Sequence, residues 1–70
     1  MELTAIAEWE GQSLRELNMR NKYGINVMAI KRGSSINVSP QAEDIIKPSD
    51  VLVVIGGTEQ LNYIEKIKVR

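Results

Sequence analysis

A small α+β layer is the fold class that this 70-residue sequence predicts: two helices packed on a mixed or antiparallel sheet, in the order β-α-β-β-β-α. Three observations carry that reading. Ile25 to Arg32 and Ile36 to Val38 flank the turn residues Gly33-Ser34-Ser35, which is the pattern of a hairpin. Val51 to Ile55 is an uninterrupted, mostly β-branched apolar run that fits a fully buried strand. Helix start signals stand at Ser13 and Thr58, one before the hairpin and one after the last strand.

Taken in order, Glu2 to Glu8 reads as a first strand weakened by its alanines. Trp9 to Gln12 is a connection. Ser13-Leu14-Arg15-Glu16 matches a capping box, and Leu14 and Leu17 share a face of the helix that follows, expected over 13–22. Gly24 supplies a left-handed stop. In the strand Ile25 to Arg32, Ile25, Val27 and Ala29 point one way, and Asn26, Met28, Ile30 and Arg32 the other. Both faces carry apolar groups, so cover is expected on both sides, by the core and by a partner chain. Pro40 ends the returning strand, Lys47-Pro48-Ser49-Asp50 is a turn, and Gly56-Gly57 ends the strand at 51–55. Thr58 is placed to cap the closing helix, with Glu59 in its first turn, Lys66 in its last, and Leu61, Ile64 and Ile67 as its buried stripe.

Composition narrows the function. The chain reads as one domain, residues 1–70, with a core thin enough that dimerisation is the expected remedy. It has no cysteine and no histidine, so thiolate metal sites, disulfides and the usual neutral-pH general base are missing. Nine basic and nine acidic residues cancel, which argues against a nucleic-acid polymer as partner. No stretch suits a membrane span or a signal peptide. Catalysis finds no support either. Glu8, Glu10, Glu16, Glu43 and Asp44 show no pairing by spacing, and the serines lack a candidate base. Val54-Ile55-Gly56-Gly57-Thr58 fits neither dinucleotide nor P-loop spacing and reads as a plain strand-to-helix turn.

The hairpin is the segment with chemistry to explain. Lys31 and Arg32 can be a solvated hairpin end, or Arg32 can present a charged fork to a phosphate. In the second case Asn37 adds an amide for a base edge, and Ile30, Ile36, Val38 and Pro40 form an apolar platform under a flat ring. For Ile36 and Val38, core packing is an equal alternative.

Ser13-Leu14-Arg15-Glu16-Leu17, Gly24-Ile25-Asn26-Val27-Met28-Ala29-Ile30-Lys31-Arg32-Gly33, Ile36-Asn37-Val38-Ser39-Pro40 and Lys47-Pro48-Ser49-Asp50-Val51-Leu52-Val53-Val54-Ile55-Gly56 together resemble the C-terminal domain of RCK proteins. This is the TrkA C-terminal domain found in cytosolic gating subunits of Ktr-type and Trk-type bacterial potassium transport systems. The resemblance covers nearly the whole chain and implies regulation, without catalysis or a required cofactor. It implies a cytoplasmic homodimer attached to a Rossmann-type domain and meeting the membrane only through a potassium channel or transporter. No dinucleotide fingerprint is present here, so ATP or ADP switching is not assigned to this chain. In related domains cyclic di-AMP binds across the dimer interface. By position, that ligand would meet Ile25, Asn26, Val27, Ile30, Arg32, Ile36, Asn37, Val38, Ser39 and Pro40. Two alternatives stand beside it: a structural dimerisation module with no small ligand, and a domain regulated by divalent cations through Glu43, Asp44 or Asp50.

Overall fold

Apolar alternation in four short segments gives four strands: β1 (Glu2–Thr4), β2 (Ile25–Arg32), β3 (Ser35–Asn37) and β4 (Val51–Gly56). A computed structural model describes residues 1–68, with side chains to residue 66. The strands form one sheet in the order β1-β4-β2-β3, and every pair is antiparallel. Three helices accompany it: α1 (Leu14–Leu17), α2 (Met19–Tyr23) and α3 (Thr58–Lys68). Their buried residues Leu17, Met19 and Ile64 join Leu3, Ile25, Ile30, Leu52 and Val54 from the sheet, with Trp9 and Ile46, in a single core.

The first strand is shorter than expected. After Thr4 the backbone leaves the ladder, and Ala7–Trp9 forms a 3-10 turn. Ala5 and Ala7 offer little to a pleated surface, whereas Trp9 is fully enclosed by the core. Its indole Nε1 donates to Tyr23 Oη at 3.2 Å, satisfying the ring's polar handle. The capping box forms as the sequence implies. Glu16 N donates to Ser13 Oγ at 3.1 Å, and Ser13 N donates to Glu16 Oε1 at 2.8 Å. The helix it starts does not run unbroken to 22, because Asn18 adopts a left-handed φ of 46° and separates α1 from α2. Asn is among the few side chains that tolerate that conformation. Gly24, at φ 70°, ends α2.

One extra residue in β2 changes which side chains face the core. Val27 pairs with Val54 and Ala29 with Val53, so Met28 is a bulge with no partner of its own. Before it, Ile25 and Val27 share the core face with Val54. After it, Ile30 shares that face with its partner Leu52. Strict alternation would have put Ile30 opposite Ile25, yet Ile30 is 3% exposed and a core residue. The strand begins and ends where the sequence implied, but its facing reverses midway.

The other sheet face is open within one chain. Val51 and Val53 are half-buried and Ile55 is exposed, as is Met28. The run 51–55 is therefore buried on one side only, contrary to the expectation of full burial. On this face Lys31 Nζ meets Glu2 Oε2 at 3.1 Å across β4.

Arg32 pairs with Ser35, leaving Gly33-Ser34 as a two-residue hairpin turn. Gly33 has φ 59° at the first central position, where a II′ turn needs a residue free of a Cβ. β3 thus starts at Ser35 and stops before Val38. Residues 41–46 are assigned no secondary structure by the sequence, yet they run back along the first connection. Gly11 N donates to Ile46 O at 2.8 Å, Ile46 N to Gln12 O at 2.9 Å, and Arg15 N to Ala42 O at 2.9 Å. α3 begins at Thr58 itself, with Gly57 O accepting from Leu61 N. Leu61 is half-buried and Ile64 fully buried, while the side chain expected at Ile67 lies outside the described residues.

Ile30→Ala is expected to cost about 2–5 kcal/mol, as for a buried aliphatic truncation, while Met28→Ala stays within about 0.5 kcal/mol. Urea denaturation of the two variants checks this, and equal losses would contradict the reversed facing.

Candidate functional site

The hairpin edge and the returning segment 43–47 enclose a cavity of about 570 Å³, within the size range of small-molecule sites. Ile30, Ile36 and Ile45 give it an apolar lining, and Arg32, Asn37, Glu43, Asp44 and Lys47 its polar groups. Ile36 is 56% and Ile45 42% exposed, so apolar surface also surrounds its mouth.

Arg32 is anchored on one edge. Its Nε donates to Asp50 Oδ1 at 2.8 Å and its Nη2 to Asp50 Oδ2 at 2.7 Å, a bidentate pair. Nη2 also donates to Ile45 O at 3.1 Å. Asp50 is fully buried, and Lys47 N donates a third hydrogen bond to its Oδ2 at 2.9 Å. The turn preceding β4 exists around this carboxylate. Asp50 N returns a bond to Lys47 O at 3.1 Å, and Ser49 sits at φ 70° behind Pro48, the arrangement of a type II turn. The hydrogen bond from Arg32 is the largest influence holding the Asp50 carboxyl below its ordinary range, working against burial; the same contact raises Arg32.

The acidic groups of the cavity are already engaged. Glu43 pairs with Arg15 at 2.7 Å. Asp44 Oδ2 accepts from Asn37 Nδ2 at 3.0 Å and from Gln41 N at 2.8 Å. Asn37 Oδ1 accepts from Ser39 N at 3.0 Å, so the Asn37 amide and Asp44 together shape the loop that carries Val38 to Pro40. Lys47 forms no ion pair among the described residues. The cationic donors still open to a ligand here are the Lys47 ammonium and Nη1 of Arg32.

The ten residues expected at the ligand site do not come together, and fall into three groups. Ile30, Arg32, Ile36 and Asn37 line the cavity just described. Ile25, Asn26 and Val27 line a separate groove with Leu14, Met19 and Arg20, and the Ile25 side chain is itself fully enclosed by the core. Val38, Ser39 and Pro40 border neither, and Val38 stands 71% exposed beyond the hairpin. Arg32 also differs from the free fork imagined for it, since most of its donors serve Asp50 and Ile45. The carboxylates considered for a divalent cation, Glu43, Asp44 and Asp50, serve three different protein partners. Lys47 and Ile45 were missed as lining residues. The turn signal around Lys47 was visible, but nothing local says that it folds back against the hairpin.

The TrkA-C domain model matches residues 1–68. The chain belongs to the TrkA-C domain family. The resemblance read from the sequence is thereby confirmed, and with it the α+β class. TrkA-C relatives include the Ktr system potassium uptake protein C of Bacillus subtilis (strain 168), 42% identical over 66 residues, which are 94% of this chain and 30% of that protein. Ktr system potassium uptake protein A of the same organism is 38% identical over 65 residues, covering 93% of this chain and 29% of that protein. The chain thus spans less than a third of these two relatives. Among solved structures, the RCK C domain of the potassium transport protein KtrA in complex with cyclic diadenosine monophosphate superposes with a TM-score of 0.87 at 41% identity, covering 94% of this chain and 78% of that one. The RCK_C domain dimer of S. agalactiae BusR, also in complex with c-di-AMP, gives 0.85 at 23% identity, covering 100% and 96%; at that identity it speaks for the TrkA-C fold alone. No helix among the described residues of this TrkA-C domain is long and apolar enough to cross a membrane.

Because folding lowers the Asp50 pKa from its ordinary 3.8, its stabilising contribution is complete above that value. It fades as pH falls through the folded-state pKa. Asp50→Asn is expected to be less stable than the parent at neutral pH, with the gap closing as pH falls below 3.8. Thermal melts of both proteins across this range check it; a gap that persists in acid would contradict the assignment.

Proposed function

We propose that the chain is a ligand-sensing regulatory domain of a bacterial potassium-uptake gating subunit, with no catalytic role, and that it binds cyclic di-AMP between two copies of itself. The observation that carries the reading is the hairpin cavity, where two open cationic donors, Arg32 and Lys47, stand beside Ile30, Ile36 and Ile45. That combination suits a phosphate attached to a flat, apolar ring. Its support is strengthened by likeness to the KtrA domain solved with the same ligand.

A two-fold symmetric ligand matches a two-fold dimer, in which each protomer supplies the same groups. The exposed apolar surface of Ile36 and Ile45 at the cavity mouth, with Val38 beyond it, is what a second copy and a purine would cover. In this arrangement Val38, Ser39 and Pro40, which border neither the hairpin cavity nor the groove at Ile25 to Val27, reach across to the partner's ligand. Regulation follows if the ligand prefers one of two dimer arrangements, since it shifts an equilibrium only by its differential affinity. The domain would be cytoplasmic, and the remainder of the subunit, of Rossmann type, would carry the shift to a membrane channel or transporter.

A second reading, a structural dimerisation module without a small ligand, draws on the open sheet face bearing Met28 and Ile55. The two differ in which surface holds the dimer. Val38→Asp breaks it under the first reading and Ile55→Asp under the second, read by sedimentation velocity.

Titration calorimetry of the chain with cyclic di-AMP is expected to show binding, and Lys47→Ala to weaken it by about 1.5–3 kcal/mol, the range for a lost charged hydrogen bond. A wild-type titration without heat, together with no thermal shift, would overturn the ligand.

A further inference from the structure

We propose that Asp50 is a positioning residue of the ligand site: its buried carboxylate fixes the Arg32 guanidinium so that Nη1 is the edge left for a phosphate. The inference rests on the reading of the hairpin cavity as a phosphate-and-base site, and adds a residue that lies outside the cavity lining. Asp50 is fully buried, so a ligand in the cavity meets it only through Arg32.

The geometry is over-determined on one side of the guanidinium. Nε has one hydrogen and gives it to Asp50 Oδ1; Nη2 has two and gives them to Asp50 Oδ2 and Ile45 O. Those three bonds fix both the plane of the fork and its rotation within that plane. Both hydrogens of Nη1 remain, on a side chain that is 48% exposed and borders the cavity. The carboxylate is held in turn, by Lys47 N on Oδ2 and by the turn built around it. A flexible arginine would lose its rotamer freedom on meeting a phosphate. Here that loss has already occurred on folding, so little is left to lose on binding.

The pair also sets a limit on charge. Asp50 neutralises Arg32 at one edge, and Glu43 and Asp44 are bonded elsewhere. The site therefore offers directed hydrogen bonds more than net positive charge. Such a site distinguishes a correctly placed phosphate from anions in general.

The test compares Asp50→Asn, Arg32→Lys and their combination with the wild-type chain, each checked for folding by circular dichroism and titrated with cyclic di-AMP. Asn keeps the shape but cannot accept two charged donors, and Lys keeps the charge but lacks the fork. Each single variant is expected to bind roughly tenfold or more weakly, and the combination no more weakly than Arg32→Lys alone, because Asp50 acts through Arg32. General structural damage would instead add. Should Asp50→Asn fail to fold, Arg32→Lys decides, since it leaves Asp50 with a cationic partner. Either folded variant binding as tightly as the wild type overturns the positioning role and leaves the ligand in place. A wild-type chain that does not bind overturns the ligand reading, and the positioning role falls with it.

Discussion

A carboxylate with no exposure to water needs its charge answered from within the protein. Asp50 is that group, and Arg32 and the Lys47 amide answer it. Much of the local architecture is constrained by this requirement. The turn 47–50 must place an amide over the carboxylate, which it does with Pro48 and a left-handed Ser49. The end of β2 must stand beside the entry to β4, so the pairing of those strands cannot slip without stranding a buried charge. The segment carrying Ile45 must lie close enough for its carbonyl to take the remaining Nη2 hydrogen. The end of β2 and the segment from 45 to 50 are held together by one planar side chain.

The same economy of partners explains the character of the cavity. Most of its polar atoms are committed to shaping the walls: Asn37 and Asp44 to the loop after β3, Glu43 to Arg15 on α1. Few are left to greet a ligand. A wall built from satisfied hydrogen bonds is stiff, and a stiff wall can pass a contact at its surface to the strand behind it. β4 lies between β1 and β2 in the sheet, so the clamp connects the cavity to an interior strand.

How much of this could be read from the sequence depends on the range of the interaction. The capping box at Ser13, the stop at Gly24 and the limits of β2 are local matters of spacing and backbone preference, and they were legible. The break at Asn18 was not, because Asn is tolerated both within a helix and in the left-handed conformation. The antiparallel run of 41–46 along 11–15 depends on tertiary contacts with no periodic signature. Arg32 was recognised as the chemically interesting cation, but its partner was hidden. Asp50 looked like a turn residue, and the useful clue was its place directly against a buried apolar run, where a charge needs company. The separation of Ile25 to Val27 from the hairpin cavity was equally unreadable, since a list of positions says nothing of which surface each one reaches.

The bulge at Met28 has a meaning for how this domain tolerates change in length. Counting from Val27, the extra residue turns Ile30 and Arg32 onto the face of Leu52; an evenly spaced strand would aim them at the opposite side. A chain shortened by one residue there would keep its composition and nearly all of its identity in an alignment. Yet it would carry a guanidinium into the open face, an isoleucine into solvent, and an acid into the core alone. A deletion at the bulge is thus felt through every later residue of the strand, because each one changes face. The extra residue is therefore what keeps Arg32 on the side of the sheet where Asp50 waits for it.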